Sequence, residues 1–152
     1  MSDASEPPFR RAVLALNGGP SDARIVRLAA EYAHATKAEL VAVHVVEIDW
    51  TLPLDADIAG RSEEVQHVLD SAEAIAEERK MVLEPVLLQA RDVGAAIVDE
   101  ATERGADLLV VGLPYRKRFG GEFDIGRTVP YILQNAPCAV WVAREPMSEE
   151  PS

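Results

Sequence analysis

The residues best suited to ligand chemistry lie in one stretch, residues 108–130, where glycines and cations separate an apolar run from a predicted helix. The apolar run ends at Gly112, and the helix is expected to begin at Thr128. A strand, a glycine-containing loop and a helix N-terminus together aim backbone N–H groups at one point, which is a common arrangement for binding phosphate. Between them lie the basic side chains of Arg116, Lys117, Arg118 and Arg127. The stretch therefore predicts an anion-binding loop.

The charge of this stretch is opposite in sign to that of the whole chain. The 152 residues include 15 Lys and Arg against 26 Asp and Glu, which gives a formal net charge of -11. An acidic surface repels the phosphates of nucleic acid, so nucleic acid is a poor partner for the body of the protein. A local group of cations instead indicates a small anionic ligand. A solvated loop without a ligand is the alternative, because charged runs are commonly solvated, but glycines on both sides of the cations favour the ligand.

Few residues have the types and spacing that catalysis or metal binding requires. His44 lies inside an apolar strand with no acid or cysteine at useful spacing, so it is expected to be a packed, hydrogen-bonded residue. Cys138 is the single cysteine of the chain and is expected to be a small buried hydrophobe. The sequence thus assigns no catalytic residue and no metal ligand, and an enzyme is less favoured than a binding module.

The elements that position the loop follow from the hydrophobic pattern. Short apolar runs, several of them rich in β-branched residues, predict strands at residues 11–17, 40–48, 82–88, 108–111 and 138–143. Apolar residues recur at helical spacing between these runs, and three helices have the predicted N-caps Ser21, Asp92 and Thr128. Pro85 places the third strand at a sheet edge. The alternation predicts an α/β doubly wound parallel sheet with helices on both faces.

The length predicts a single domain at residues 9–144, with a flexible arm at 1–8 and a flexible tail at 145–152. The connection after the second strand contains Trp50, which is expected to pack on the core because tryptophans are largely buried. No apolar run approaches the ~20 residues of a membrane span, and the N-terminus has no apolar signal segment. The cytoplasm is the expected compartment.

Two of the predicted strands end in glycine, the first at Asn17-Gly18-Gly19 and the fourth at Gly112. In open parallel sheets, ligands bind beyond the carboxyl ends of the strands where the strand order reverses. If these two strands are neighbours at that point, their loops form one crevice, with Asn17 on one wall and the basic loop on the other. The chain contains neither a Walker-type lysine motif nor GxGxxG.

Four segments, taken in order, resemble the universal stress protein family. They are residues 12–17, LVAVHVVE at 40–47, GADLLVVG at 105–112 and NAPCAVWV at 135–142, and the resemblance covers almost the whole chain. The resemblance implies a five-stranded parallel sheet of order 3-2-1-4-5 and a homodimer formed through the last strand. Many members have an ATP site, so the resemblance also implies such a site here, with ATP and Mg²⁺ as the expected ligand.

The adenosine end of that implied site falls on the first two strands. Asn17 stands where nucleotide-binding members have an aspartate, and an amide keeps hydrogen bonding but loses the charge. Ala15 belongs to the same strand end, and Val45 matches a position whose backbone reads the adenine.

The phosphate end departs from the motif G-x2-G-x9-G-[ST] of the family. Gly112 matches its first glycine and Gly126 its last, but Tyr115 occupies the place of the second glycine and the spacing is one residue longer. Arg127 replaces the Ser or Thr, and the hydroxyl of Thr128 lies one residue further on. A tyrosine adds a side chain where a glycine lets the backbone approach the ligand, whereas an arginine can bind phosphate bidentately.

Two functions remain open at this point. The first is a regulatory or stress-response module that binds ATP or another adenine nucleotide. The second is a dimeric protein-interaction module of the same fold whose nucleotide site is lost, as Tyr115 and Arg127 suggest. Slow ATP hydrolysis is compatible with the first function, because a bound triphosphate and a water need little more than positioning.

Overall fold

The computed structural model describes residues 8–53, 63–116 and 123–147. Its described strands are β1 (Arg11–Leu16), β2 (Glu39–Glu47), β3 (Leu83–Ala90), β4 (Leu108–Leu113) and β5 (Ala139–Arg144). Its described helices are α1 (Ser21–Thr36), α2 (Glu63–Glu78), α3 (Val93–Glu103) and α4 (Thr128–Asn135). The predicted arm 1–8 and tail 145–152 lie mostly outside the described residues, as do Lys117 and Arg118 of the basic loop.

The strands form one parallel sheet in the order β3-β2-β1-β4-β5, which confirms the predicted fold class and strand order. β1 lies at the centre, where Leu14 pairs with Ala42 of β2 and with Val110 of β4. β3 lies at one edge, as Pro85 predicts. The glycine-ended strands β1 and β4 are therefore neighbours at the point where the strand order reverses.

Each face of the sheet has its own apolar core. Side chains alternate between the faces along a strand, so Leu14 packs with Ile25 of α1 and Leu69 of α2, whereas Val13 packs with Ile97 of α3 and Ile132 of α4. Ala12 to Leu16 are all buried, which explains why β1 is a continuous apolar run instead of an alternating one. No described helix has both the length and the apolar composition that a bilayer span requires.

Two of the three predicted N-caps are wrong. Ser21 is the first residue of α1 and lies buried, and its hydroxyl is 3.3 Å from Oε2 of Glu145 instead of capping the helix. α4 begins at Thr128 itself, and its N-cap residue is Arg127, whose side chain makes no capping hydrogen bond. Asp92 is confirmed as a cap, because its carboxylate accepts the N–H of Ala95 at 3.1 Å.

Trp50 does not pack on the core as predicted, since 79% of its surface is exposed. Its ring lies 4.7 Å from the guanidinium carbon of Arg91. The same guanidinium donates to the carbonyl oxygens of Asp49 and Leu52, each at 2.9 Å. Arg91 therefore fixes residues 49–52, which follow β2, through two hydrogen bonds and one ring contact. The indole of Trp50 makes a cation–π contact at the surface and is not buried in the core.

The cap of α3 gives a test of this local architecture. Replacing Asp92 by Ala should lower the free energy of unfolding by about 1 kcal/mol, because an N–H of the first turn loses its acceptor. Asp99→Ala removes an exposed carboxylate from the same helix and is the matched control, with an expected change below about 0.5 kcal/mol. Urea unfolding measures both, and equal losses would contradict the role of Asp92.

Candidate functional site

A cavity of about 400 Å³ lies at the carboxyl ends of β1, β2 and β4. This volume is in the range of small-molecule sites. Its walls come from the ends of these strands, the start of α3 and the chain leading into α4. The lining residues are Ala15, Leu16, Asn17, His44, Val45, Glu47, Val93, Ile97, Val111, Gly112, Leu113, Pro114, Arg116, Asp124, Ile125, Gly126, Arg127, Thr128 and Val129.

One wall of the cavity is apolar. Val45 at the end of β2 faces the same side of the sheet as Ile97, and Val93 opens the first turn of α3 beside it. The Asp92 cap fixes where that turn begins and therefore where Val93 projects. Such a wall suits a flat, weakly polar group.

The backbone of β2 extends this wall beyond the end of β1. The β1–β2 pairing stops at Leu16 with His44, whereas the β2–β3 pairing continues to Glu47 with Ala90. Within the described sheet, residues 45–47 therefore have no strand partner on the side of β1. Backbone groups on that side can hydrogen-bond to the edge of a ligand.

The opposite end of the cavity is suited to an anion. Arg116 and Arg127 line it and are exposed, and neither forms an ion pair within the described part of the chain. α4 begins there at Thr128 without a side-chain cap. The N–H groups and the positive end of the helix dipole therefore face the same region as the two guanidinium groups.

The N-terminus of α1 is arranged differently, because it has its own carboxylate. Asp22 accepts the backbone N–H groups of Asn17 at 3.0 Å and Gly18 at 2.8 Å. Burial raises the pKa of Asp22, and these two hydrogen bonds only partly oppose the effect. Before α4 the carboxylate of Asp124 accepts the N–H of Gly126 at 3.2 Å, but there the guanidinium groups of Arg116 and Arg127 outnumber it. The balance of charge therefore directs an anion to α4.

Tyr115 is turned away from the cavity and is not part of its lining. Its ring stacks on Phe123 with 5.3 Å between centroids, and the guanidinium of Arg144 lies 5.0 Å from the ring centre. Its N–H donates to Oε1 of Glu145 at 3.3 Å. The N–H of Asp124 donates to the carbonyl of Arg116 at 2.8 Å and closes the base of the loop. The tyrosine in the second glycine's place thus contacts the loop base and leaves the cavity accessible.

The structure brings seven of the eight predicted site residues to this one cavity. The exception is Tyr115. The seven are Ala15, Asn17, Val45, Gly112, Gly126, Arg127 and Thr128. Among the described residues, no three His, Cys, Asp or Glu side chains are placed to hold a metal ion.

The model of the universal stress protein family matches residues 8–144, which include all five strands and all four helices described above. The chain belongs to the universal stress protein family. A curated relative is the sensor protein KdpD of Mycobacterium tuberculosis (strain CDC 1551 / Oshkosh), which is 30% identical over 142 residues. The match covers 93% of this chain but only 15% of KdpD, so the chain spans a small part of that relative's length.

Solved universal stress proteins share the fold. One from Archaeoglobus fulgidus is 26% identical with a TM-score of 0.70, and the match covers 88% of this chain and 98% of that chain. The universal stress protein from Archaeoglobus fulgidus in complex with dAMP is 23% identical with a TM-score of 0.67, covering 88% of this chain and 97% of that chain. The likeness to the second structure establishes the fold alone.

Glu47 and His44 are among the cavity residues that were not predicted for the site of this universal stress protein. Glu47 is the exposed last residue of β2 and lies on the same face as Val45, two positions earlier. A charged residue that ends a buried strand on the ligand side is the signal that could have identified it. His44 also lines the cavity, and its Nδ1 lies 2.9 Å from the carbonyl of Leu16, to which only a protonated nitrogen can donate. His44 is thus hydrogen-bonded as predicted, with Nε2 as the nitrogen left for other contacts.

Gly112 and Gly126, the two glycines of the family motif, are each required for a different structural reason. A Cβ at Gly112 would lie 3.0 Å from Cβ of Ser21 and 3.3 Å from Cδ1 of Ile25, so β4 and α1 approach closely only because this side chain is absent. Gly126 has a φ of +73°, and among the described residues no atom lies within 4 Å of the place a Cβ would take. Its glycine is therefore required by the backbone conformation and not by space.

The close approach at Gly112 can be tested by a double-mutant cycle. Gly112→Ala should cost about 1–3 kcal/mol of unfolding free energy, because the new methyl group overpacks the contact with α1. Ile25→Val removes the Cδ1 atom, so Gly112→Ala combined with Ile25→Val should lose less than the sum of the single variants. Additive losses in chemical unfolding would show that the methyl group does not meet Ile25.

Proposed function

We propose that this universal stress protein domain is a cytoplasmic regulatory or stress-response module that binds an adenine nucleotide in the cavity. One observation carries the proposal: the apolar wall, with the β2 backbone that extends past the end of β1, and the cationic end at α4 belong to the same cavity. A nucleotide has the matching pair of ends, a flat base and an anionic phosphate. Membership of the family supports the proposal, as does the dAMP complex of the Archaeoglobus fulgidus protein.

In the proposed complex the base lies against Val45, Val93 and Ile97, with its polar edge toward the β2 backbone at residues 45–47. The phosphate lies at the first turn of α4. There Arg127 supplies two parallel N–H donors in the position of the family's Ser or Thr, and the hydroxyl of Thr128 is next to it. Because Tyr115 lies outside the cavity, its replacement of a glycine does not oppose this placement.

The proposal predicts that Arg127 contributes to phosphate binding and not to base binding. Arg127→Ala should weaken AMP binding about tenfold, since a charge-assisted hydrogen bond contributes about 1.5–3 kcal/mol, and should change adenosine binding less than about twofold. Titration calorimetry with AMP, adenosine, and ATP with Mg²⁺ measures these affinities. Arg24→Ala, which removes an exposed cation from α1, is the matched control.

Two results would contradict the proposal. The first is that none of the three compounds binds the wild-type protein at millimolar concentration. The second is an equal loss of AMP and adenosine binding in Arg127→Ala, which would place the arginine away from the phosphate.

We also propose that two copies of the domain pair through β5, which fits the interaction function as well as the nucleotide function. β5 is an edge strand, and 39% of the Val142 surface is exposed on it. Trp141 beside it is only half-buried and contacts Phe9 and Tyr32 edge to face, at centroid distances of 6.0 and 5.8 Å. An apolar edge with unpaired backbone groups favours association with a second strand.

A charge on that edge should separate the two copies. Val142→Lys is expected to raise the dissociation constant of the dimer at least tenfold, because lysine on an edge strand opposes strand pairing. Val82→Lys is the matched control, since Val82 is 89% exposed and precedes β3 at the opposite edge of the sheet. Sedimentation velocity over a concentration series measures both variants. A monomeric wild type, or equal effects of the two lysines, would contradict pairing through β5.

A further inference from the structure

The end of β1 lies between the two ends of the proposed nucleotide site. In the sheet order β2-β1-β4, Val45 lies near the end of β2 on one side and Gly112 near the end of β4 on the other. Neighbouring strands are about 4.8 Å apart, so the base wall and the phosphate end are separated by about 10 Å. In a nucleotide, the sugar fills that interval. Asn17 is the polar side chain that the end of β1 contributes to the cavity lining.

The orientation of the Asn17 amide follows from its own loop. Its Oδ1 accepts the N–H of Gly19 at 2.7 Å, and only the oxygen of an amide can accept that hydrogen bond. The contact is tight, because a Cβ built at Gly19 would lie 2.9 Å from Oδ1. The N–H groups of Asn17 and Gly18 are fixed at the same time by Asp22. Among the described residues, the Nδ2 group has no partner, so a donor is what this side chain offers a ligand.

The surrounding charges explain why an amide suits this position. The carboxylate of Asp22 bonds to the backbone of residue 17, and the carboxylate of Glu145 lies beside the adjacent Ser21. A carboxylate at position 17 would add a third negative charge to this pair, whereas an amide adds none. The cavity lining already contains the carboxylates of Glu47 and Asp124, and the neutral side chain of Asn17 adds no further anion between them.

We propose that Asn17 is a specificity-determining residue whose amide donor makes the cavity favour an adenine nucleotide with an esterified 3′-oxygen over one with a free 2′,3′-diol. This inference rests on the proposed nucleotide function. A diol binds a carboxylate well because both hydroxyls can donate to it. Hydroxyls can also accept from an amide N–H, but the anionic oxygens of a 3′,5′-cyclic phosphate accept a charge-assisted and therefore stronger hydrogen bond from Nδ2, and they would be repelled by a carboxylate.

The test compares two ligands in matched variants. The affinities of AMP and 3′,5′-cyclic AMP are measured by calorimetry for the wild type, Asn17→Asp and Asn17→Ala. The ratio of the two affinities, compared between variants, cancels effects that a substitution has on both ligands. Gln134→Glu places the same added charge on the exposed face of α4, outside the cavity lining, and is the control.

Asn17→Asp should shift the affinity ratio toward AMP by at least tenfold relative to the wild type, and Asn17→Ala should shift it in the same direction by a smaller factor. Gln134→Glu should leave the ratio within twofold. If AMP binds and the ratio is unchanged in both Asn17 variants, the role of Asn17 is overturned and the nucleotide function stands. If neither ligand binds the wild type, the nucleotide function and this inference are both overturned. Thermal unfolding shows which variants are folded, and Asn17→Ala decides the question if Asn17→Asp is not.

Discussion

The parallel pairing of β1 with β4 is the constraint on which the site depends. Right-handed crossovers take the chain from β1 through α1 to β2 on one side, and from β4 through α4 to β5 on the other. The two loops that leave this central pair must therefore diverge toward opposite faces of the sheet, and the space between them cannot be filled by either. Gly112 allows the pair to keep this arrangement with α1 in contact, because any side chain there would meet Ser21 and Ile25.

The two helix N-termini at this edge differ in how their positive ends are neutralised. At α1 the half-buried carboxylate of Asp22 accepts the N–H groups of the preceding turn, and its partial burial raises its pKa. At α4 the N-cap residue is Arg127, whose side chain makes no capping hydrogen bond and adds its positive charge to that of the helix end. In this strongly acidic chain, the guanidinium groups of Arg116 and Arg127 therefore form a local positive region that lines a cavity.

The strand pattern could be predicted from sequence because each strand is a short apolar run bounded by glycine or polar residues, and alternation with helices determines a parallel sheet. The position of the glycines Gly112 and Gly126 also follows from the sequence, since close approach and positive φ are properties that glycine signals locally. The direction of a side chain at the base of a loop cannot be predicted from the local sequence, because it depends on residues elsewhere in the chain. Tyr115 turns away because it stacks on Phe123 at the other end of the loop and contacts Arg144 and Glu145, which lie about 30 positions further along the chain. Ser21 loses its capping role for the same reason, because its partner Glu145 lies 124 positions away.

Glu145 has a consequence for where this domain can be cut or fused. Its N–H donates to the carbonyl of Leu113 in continuation of β5, and its two carboxylate oxygens bind the N–H of Tyr115 and the hydroxyl of Ser21. One residue immediately after the last strand thus joins β4, α1 and the base of the loop. A fragment that stops at Arg144 would retain every helix and strand of the described fold but lose this junction. A functional unit transplanted into another protein therefore has to include Glu145, and a linker can begin only after it.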